Sequence, residues 1–311
     1  MNEDGAETLY SYEVNQPIVN FGVSVLAESP GALVDPFVLG SNDENDLQGY
    51  AGIPTDVNAL TFDNNVDVGA AGVQFPRLQR FYVAVDSRAD PFTNRPQKGK
   101  YVLNAWVNDL TGPTVRVLTT RITAGRPLIV AEVADAQSGV DPLSLVINYN
   151  HALVGASAYD PGSGIAIFGI PGEAPAFRAG KTPLVLQASD YQEAKNINTV
   201  GDDIYPNTTF KQSKLTVVNG PTITWLSPPA NACTLKSDQV TALADSTKKV
   251  KQVVFTVDGK RIGVDRSGPS GIYSLAWKTA KLKKGKHLLV ATVTDAAGRT
   301  AATARDVRVC R

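Results

Sequence analysis

Histidine and cysteine are almost missing from this chain of 311 residues, with two of each. The shortage removes whole chemistries. No Cys-x-x-Cys or His-Glu-x-x-His segment exists to hold zinc, and no Walker-type glycine loop exists to cradle phosphates. His151 stands in Tyr149-Asn150-His151-Ala152, a pattern that predicts a hairpin turn, and His287 opens a strand-like run. Neither stands in the segment context of a hydrolytic triad, which needs nucleophile, base and orienting acid together. A paired-carboxylate glycosidase is not expected either, because nothing in the pattern points to the cleft such a pair needs. No apolar run approaches the roughly 18 to 20 residues of a membrane helix, so no membrane span is expected. The first eight residues are acidic and lack the positive and apolar stretches of a secretory signal. Two alternatives follow: a protein that stays inside, or a piece whose export signal lies upstream. Helical periodicity is also lacking.

What the chain has is period-two alternation, and it has it twice. Residues 285–299 read Gly-Lys-His-Leu-Leu-Val-Ala-Thr-Val-Thr-Asp-Ala-Ala-Gly-Arg, in which Leu289, Ala291 and Val293 alternate before a turn at Asp295. The same register recurs 105 residues upstream, where Gly180-Lys181 leads through Leu184, Leu186 and Ala188 to Asp190. Ala134-Asp135 likewise anticipates Ala244-Asp245, and Gly164-Ile165 anticipates Gly271-Ile272, with the drifting spacing that loop insertions produce. Gly112-Pro113 and Gly220-Pro221 break the pattern at chemically similar joints. The expected organisation is all-β: three tandem β-sandwich modules at 1–112, 113–219 and 220–311, the last two immunoglobulin-like. Seven short apolar runs between the two joints match the strand count of such a sandwich.

A net charge of zero hides an asymmetry. Residues 1–112 carry 15 Asp and Glu against 6 Lys and Arg, whereas residues 220–311 carry 6 against 16. The basic end suits an anionic partner such as a cell-surface polymer, or is simply a solvated face. Lys281, Lys283, Lys284 and Lys286 lack interleaved aromatics for base stacking, so no nucleic acid partner is expected. Cys233 and Cys310 fall near the first and last strands of the last module, where edge strands can lie side by side. A disulfide and an oxidising compartment follow from that placement, and two buried free thiols are the alternative.

Cofactors are not required by any motif. Calcium is the one ion the loops suit, because alternate loops of a sandwich emerge at one end. In the middle module these loops carry Asp135, Asp141, Asp160, Asp190 and Glu193, and calcium takes six to eight oxygen ligands. Aspartates in such turns also cap their own backbone, which is the competing reading. Trp277 is expected in the core.

Particular stretches resemble known families. Residues 80–87, Arg-Phe-Tyr-Val-Ala-Val-Asp-Ser, followed by Gly99-Lys100-Tyr101-Val102-Leu103, resemble the closing hairpin of the bacterial pre-peptidase C-terminal domain. The run 253–263 with Asp258-Gly259, then Tyr273-Ser274-Leu275-Ala276-Trp277 and the segment from 285, resembles the bacterial Ig-like domains of secreted hydrolases and adhesins. The whole order resembles the C-terminal accessory region of secreted subtilisin-like serine proteases. That resemblance implies a secreted, extracellular, non-catalytic region, not itself an enzyme, partnered by an upstream protease catalytic domain and by protein substrate. Its Gly-Thr-Ser-x-Ala, His-Gly-Thr and Asp-Thr-Gly segments have no match here. A cell-surface or adhesion protein built of Ig-like repeats is the alternative.

Overall fold

The computed structural model describes residues 8–27, 34–40, 47–50, 55–56, 67–87, 95, 99–194, 207–234, 237–280 and 282–310. Strands dominate them. The first module contributes β1 (Thr8–Glu13), β2 (Asn20–Ala27), β3 (Val34–Leu39), β4 (Leu47–Tyr50), β5 (Thr55–Asp56), β6 (Asp67–Gln74), β7 (Arg80–Ser87) and β8 (Tyr101–Val107). They form two sheets, ordered β1-β7-β3-β4 and β5-β6-β2-β8. Phe21, Val23, Val38, Phe81 and Val83 fill the space between, with the rings of Phe21 and Phe81 4.9 Å apart.

β7 and β8 therefore lie in different sheets: β7 pairs with β1 and β3, and β8 with β2. The hairpin expected from residues 80–103 does not form. Its two strands are separated by residues 88–100, far more chain than the two to five residues that keep hairpin strands adjacent.

The middle module contributes β9 (Thr114–Val117), β10 (Arg121–Thr123), β11 (Ile129–Ala134), β12 (Val146–Tyr149), β13 (Ala152–Gly155), β14 (Ala158–Asp160), β15 (Ile165–Phe168), β16 (Gly180–Ser189) and β17 (Thr208–Val218). The last contributes β18 (Thr222–Ser227), β19 (Cys233–Thr234), β20 (Ser237–Asp245), β21 (Val250–Val257), β22 (Lys260–Asp265), β23 (Ile272–Lys278), β24 (Gly285–Asp295) and β25 (Thr300–Val309). The sheet orders are β14-β15-β11-β9 with β10-β17-β16-β12-β13, and β18-β20-β23 with β19-β25-β24-β21-β22. The two arrangements correspond strand for strand except that β14 has no counterpart among the described strands of the last module. In each case a short early strand, β10 or β19, runs parallel to the final strand of its module.

Local chemistry explains the turns. Asn150 and His151 both take positive φ (44° and 64°) between β12 and β13, and Asp258 and Gly259 do so (47° and 78°) between β21 and β22. Two consecutive positive-φ residues are what a two-residue hairpin with native strand twist demands. The alternation read from 285–299 also becomes a buried face. Leu289, Ala291 and Val293 of β24 stand opposite Val257, Phe255 and Val253 of β21, and Trp225 and Trp277 complete that core.

The chain divides into two compact units. One comprises Met1–Arg116, Val130–Phe168 and Val185–Gln212; the other comprises Val117–Ile129, Gly169–Leu184 and Ser213–Arg311. The dividing line passes through the middle sandwich.

Candidate functional site

The polar residues of the first unit converge where the end of β8 meets two turns, 135–141 and 190–192. Asn108 leaves β8 with φ of 55°, its amide donating to the carbonyl of Asn20 (2.8 Å), and Asp109 follows fully buried. The Asp109 carbonyl accepts from Asn20 Nδ2 (2.7 Å) and Asn207 Nδ2 (3.1 Å), while its amide donates to Asn20 Oδ1 (2.8 Å). Its carboxylate Oδ2 accepts from the amide of Ser138 (2.9 Å). Asp135 shapes that same turn, because its Oδ1 accepts from the amides of Gln137 and Gly139, each at 2.9 Å. Gly139 lies at φ +90°, a conformation that costs a side-chain-bearing residue, so the turn needs glycine. Asp190, also fully buried, follows β16, and its amide donates to the carbonyl of Asn207 (3.2 Å).

Carboxylate oxygens of Asp109, Asp135 and Asp190 lie within 4.8 Å of one another. Burial pushes the Asp135 carboxyl up from its ordinary value, the amides of Gly139 and Gln137 pull the other way, and the Asp109 charge adds to the rise. Three acids at this spacing favour either a proton or a cation among them. Of the residues predicted from sequence, the structure brings together Asp135 and Asp190. Asp141 instead accepts from the Leu143 amide (3.0 Å) at the start of a 3-10 turn. Asp160 accepts from the amides of Gly162 and Ser163 in its own turn. The side chain of Glu193 lies outside the described residues. Asp109 was missed; its signal was an acid in a short polar stretch just before the Gly112-Pro113 joint.

Tyr191 and Gln192 carry the joint further. Trp106 of β8, 3% exposed, clusters with Ala70 and Tyr191, and its indole Nε1 donates to Gln192 Oε1 (2.8 Å). The ring lies on bare backbone, since a Cβ built on Gly22 would stand 2.1 Å from Trp106 Cζ2. Asn104 Nδ2 donates to the Gln137 carbonyl (2.5 Å) and Ser24 Oγ to the Ser138 carbonyl (3.2 Å). Beside these contacts runs a groove of about 380 Å³, walled by Leu26, Val102, Val140 and Tyr159, with Asp135 in its lining.

The last module handles the corresponding turn differently. Asp295 is fully buried, and its carboxylate accepts from the amides of Ala297 (3.0 Å) and Arg299 (2.9 Å), from Ser246 Oγ (2.9 Å) and from Arg299 Nε (2.8 Å). Arg299 also donates to the carbonyl of Asn219. Burial alone would raise the Asp295 carboxyl; the hydrogen bonds from Arg299 and Ser246 hold it below the usual range. A guanidinium thus sits four residues after the aspartate. Ala194 takes that place after Asp190.

Cys233 and Cys310 are joined, with Cα atoms 5.6 Å apart, inside the usual span of a disulfide. No described helix is long and apolar enough to cross a membrane.

A family profile described as "Bacterial Ig domain" matches residues 221–291. A search of curated proteins finds no match. Among solved structures the chain is similar to the fibronectin(III)-like modules of CbhA from Clostridium thermocellum, at 20% identity over 63% of this chain and 94% of that chain, with a TM-score of 0.26. It is similar to dimeric latent PorU from Porphyromonas gingivalis at 14% identity over 98% of this chain, with a TM-score of 0.40, and spans 31% of that protein. It is also similar to SGBP-B of the Bacteroides ovatus mixed-linkage glucan utilization locus, solved with a mixed-linkage heptasaccharide, at 11% identity over 72% of this chain and 57% of that one, with a TM-score of 0.29.

Proposed function

We propose that the chain is a non-catalytic, extracellular spacer within a larger secreted protein, and that this protein is a subtilisin-like serine protease whose catalytic domain it extends and steadies. One observation carries the reading. Turns at one end of the middle sandwich are engaged in joining: the 135–139 turn and the 190–192 segment bond to Asn104, Trp106 and Asp109 of the first module. The family match at 221–291 and the disulfide are consistent with a region that works in an oxidising compartment. The purified chain should leave casein intact. Cleavage abolished by a serine-directed inhibitor would refute the non-catalytic reading. The coding sequence before Met1 tests the rest: an in-frame subtilisin-like domain supports it, whereas further Ig-like repeats or a wall anchor there would favour an adhesive stalk.

We propose further that Asp109, Asp135 and Asp190 hold a calcium ion that stiffens this joint. The donor set suits a hard cation, being all carboxylate oxygen within 4.8 Å. Calcium at a hundred times its Kd should raise the unfolding free energy by about 2.7 kcal/mol relative to chelator. Asp190→Asn should abolish that increment. Identical melting curves of the wild type in calcium and in chelator would remove the ion.

A further inference from the structure

His287 opens the inner face of β24, and its side chain is only 10% exposed. Its two ring nitrogens meet two acceptors. Nδ1 lies 2.6 Å from Asp258 Oδ2, and Nε2 lies 2.7 Å from the carbonyl oxygen of Lys283. A neutral imidazole carries one N–H and one lone pair, so it can donate to only one of them and must set a lone pair against the other. Imidazolium donates to both. Asp258 is itself anchored, because its Oδ1 accepts from the amide of Leu288 (2.9 Å) and it sits in the tight turn with Gly259. The chain just before β24 is also anchored where the amide of Leu282 donates to the carbonyl of Thr279 (2.9 Å) and Leu282 packs on the core.

We propose that the His287 imidazolium is a latch that pins the lysine-bearing segment 282–284 to the Asp258 turn, and that loss of its proton releases the segment. The segment and the start of β24 carry Lys283, Lys284 and Lys286, so their order as a group is what the latch governs. Asp258 faces the ring from the β21–β22 turn, and Lys260 beyond that turn acts on Asp258. Across the sheet His287 stands opposite Val307, while its neighbours Lys286 and Leu288 stand opposite Arg308 and Asp306. Hydrogen bonding to Asp258, then to the Lys283 carbonyl, raises the imidazole above its ordinary value; the same imidazole, then the Leu288 amide, holds Asp258 below its own. The signs define a window. The histidine's contribution is complete below about pH 6.5 and is lost as pH rises through its higher folded value; the aspartate's is lost only as pH falls through a value below about 3.9. The latch is closed between those limits.

A ¹⁵N-edited titration of the full chain carrying His151→Gln leaves one histidine to follow. His287 should hold both ring protons at pH 6, with a midpoint above that of a free histidine. As pH passes that midpoint, amide exchange at Lys283 and Lys284 should rise roughly tenfold beyond its intrinsic increase, while Val293 in the core shows the intrinsic increase alone. Asp258→Asn should lower the midpoint and move the exchange step with it, which a histidine that only fills space would not do. If that variant fails to fold, the titration without it still decides. A His287 that is neutral at pH 6, or an exchange step at residues 283–284 that does not follow its titration, overturns the latch.

Discussion

Removing the Cys233–Cys310 bond is expected to destabilise the last module by about 4 to 5 kcal/mol. The bond closes a loop of 77 residues, and restricting the unfolded chain by that much accounts for a value of this size in the loop-entropy account. The native state adds a local reason. β19 is a two-residue strand held parallel to β25 at its outer edge, with Cys233 opposite Arg308. Its other described ties are hydrogen bonds: the amide of Asn231 to the carbonyl of Asp306 (2.7 Å), the amide of Arg308 to the carbonyl of Ala232 (2.8 Å), the amide of Cys310 to the carbonyl of Thr234 (3.0 Å), and Thr234 Oγ1 to the carbonyl of Arg308 (3.2 Å). Without the covalent link β19 should fray and bare the edge of β25, a row of backbone groups open to pairing with other chains. Melting of the chain with and without reductant, and of the double variant Cys233→Ala with Cys310→Ala, measures both effects. A fall of about 20 °C in the transition of the unit that holds this module, with new concentration-dependent aggregation, is the expected result. A reduced chain that melts with the oxidised one would contradict it. Mass spectrometry without reductant supplies the premise, a mass two hydrogens below the dithiol.

How much of this was legible in the sequence depended on how local the cause was. Strands such as β21 and β24 could be read because each carries its burial in its own period-two pattern, and the turns at Asn150-His151 and Asp258-Gly259 because positive φ is a property of the residues that adopt it. The cysteines were legible through their positions near the ends of one module. Sheet membership in the first module was not, because β7 and β8 each alternate well, and the choice between pairing with one another and crossing to opposite sheets lies in the chain between them. The acidic site was half legible. Asp135 and Asp190 stood out by repetition in the last module, but Asp141 and Asp160 looked the same in sequence and serve their own turns. Nothing local separates an aspartate that caps itself from one that reaches another loop. Asp109, Asn20 and Asn207 meet only because the fold brings together segments about ninety or more residues apart.

Trp106→Ala should cost about 3 to 5 kcal/mol in the stability of the first unit, the range for emptying a buried tryptophan site. The site has little means of collapse. The ring is seated on Gly22 and Gly72, whose lack of side chains is what admits it, so the walls that would have to move inward are strand backbone held in the β2–β6 and β2–β8 ladders. Trp106→Phe separates packing from polarity. It keeps most of the apolar area but removes the donor to Gln192 Oε1, and should cost about 1 to 3 kcal/mol, the penalty for breaking a buried hydrogen bond on one side. Combined with Gln192→Ala in a double-mutant cycle, the pair should be non-additive, since each single change removes the same bond. Denaturant unfolding gives all four values, and a Trp106→Ala variant within about 1 kcal/mol of wild type would show that the indole does not hold the joint. The same variant also tests the proposed calcium ion. Gln192 and Asp190 are two residues apart on one segment, so loosening Trp106 should also shrink the calcium-dependent gain in stability. A full gain retained in Trp106→Ala would place the ion in the middle module alone, with no part in fixing the first module to it.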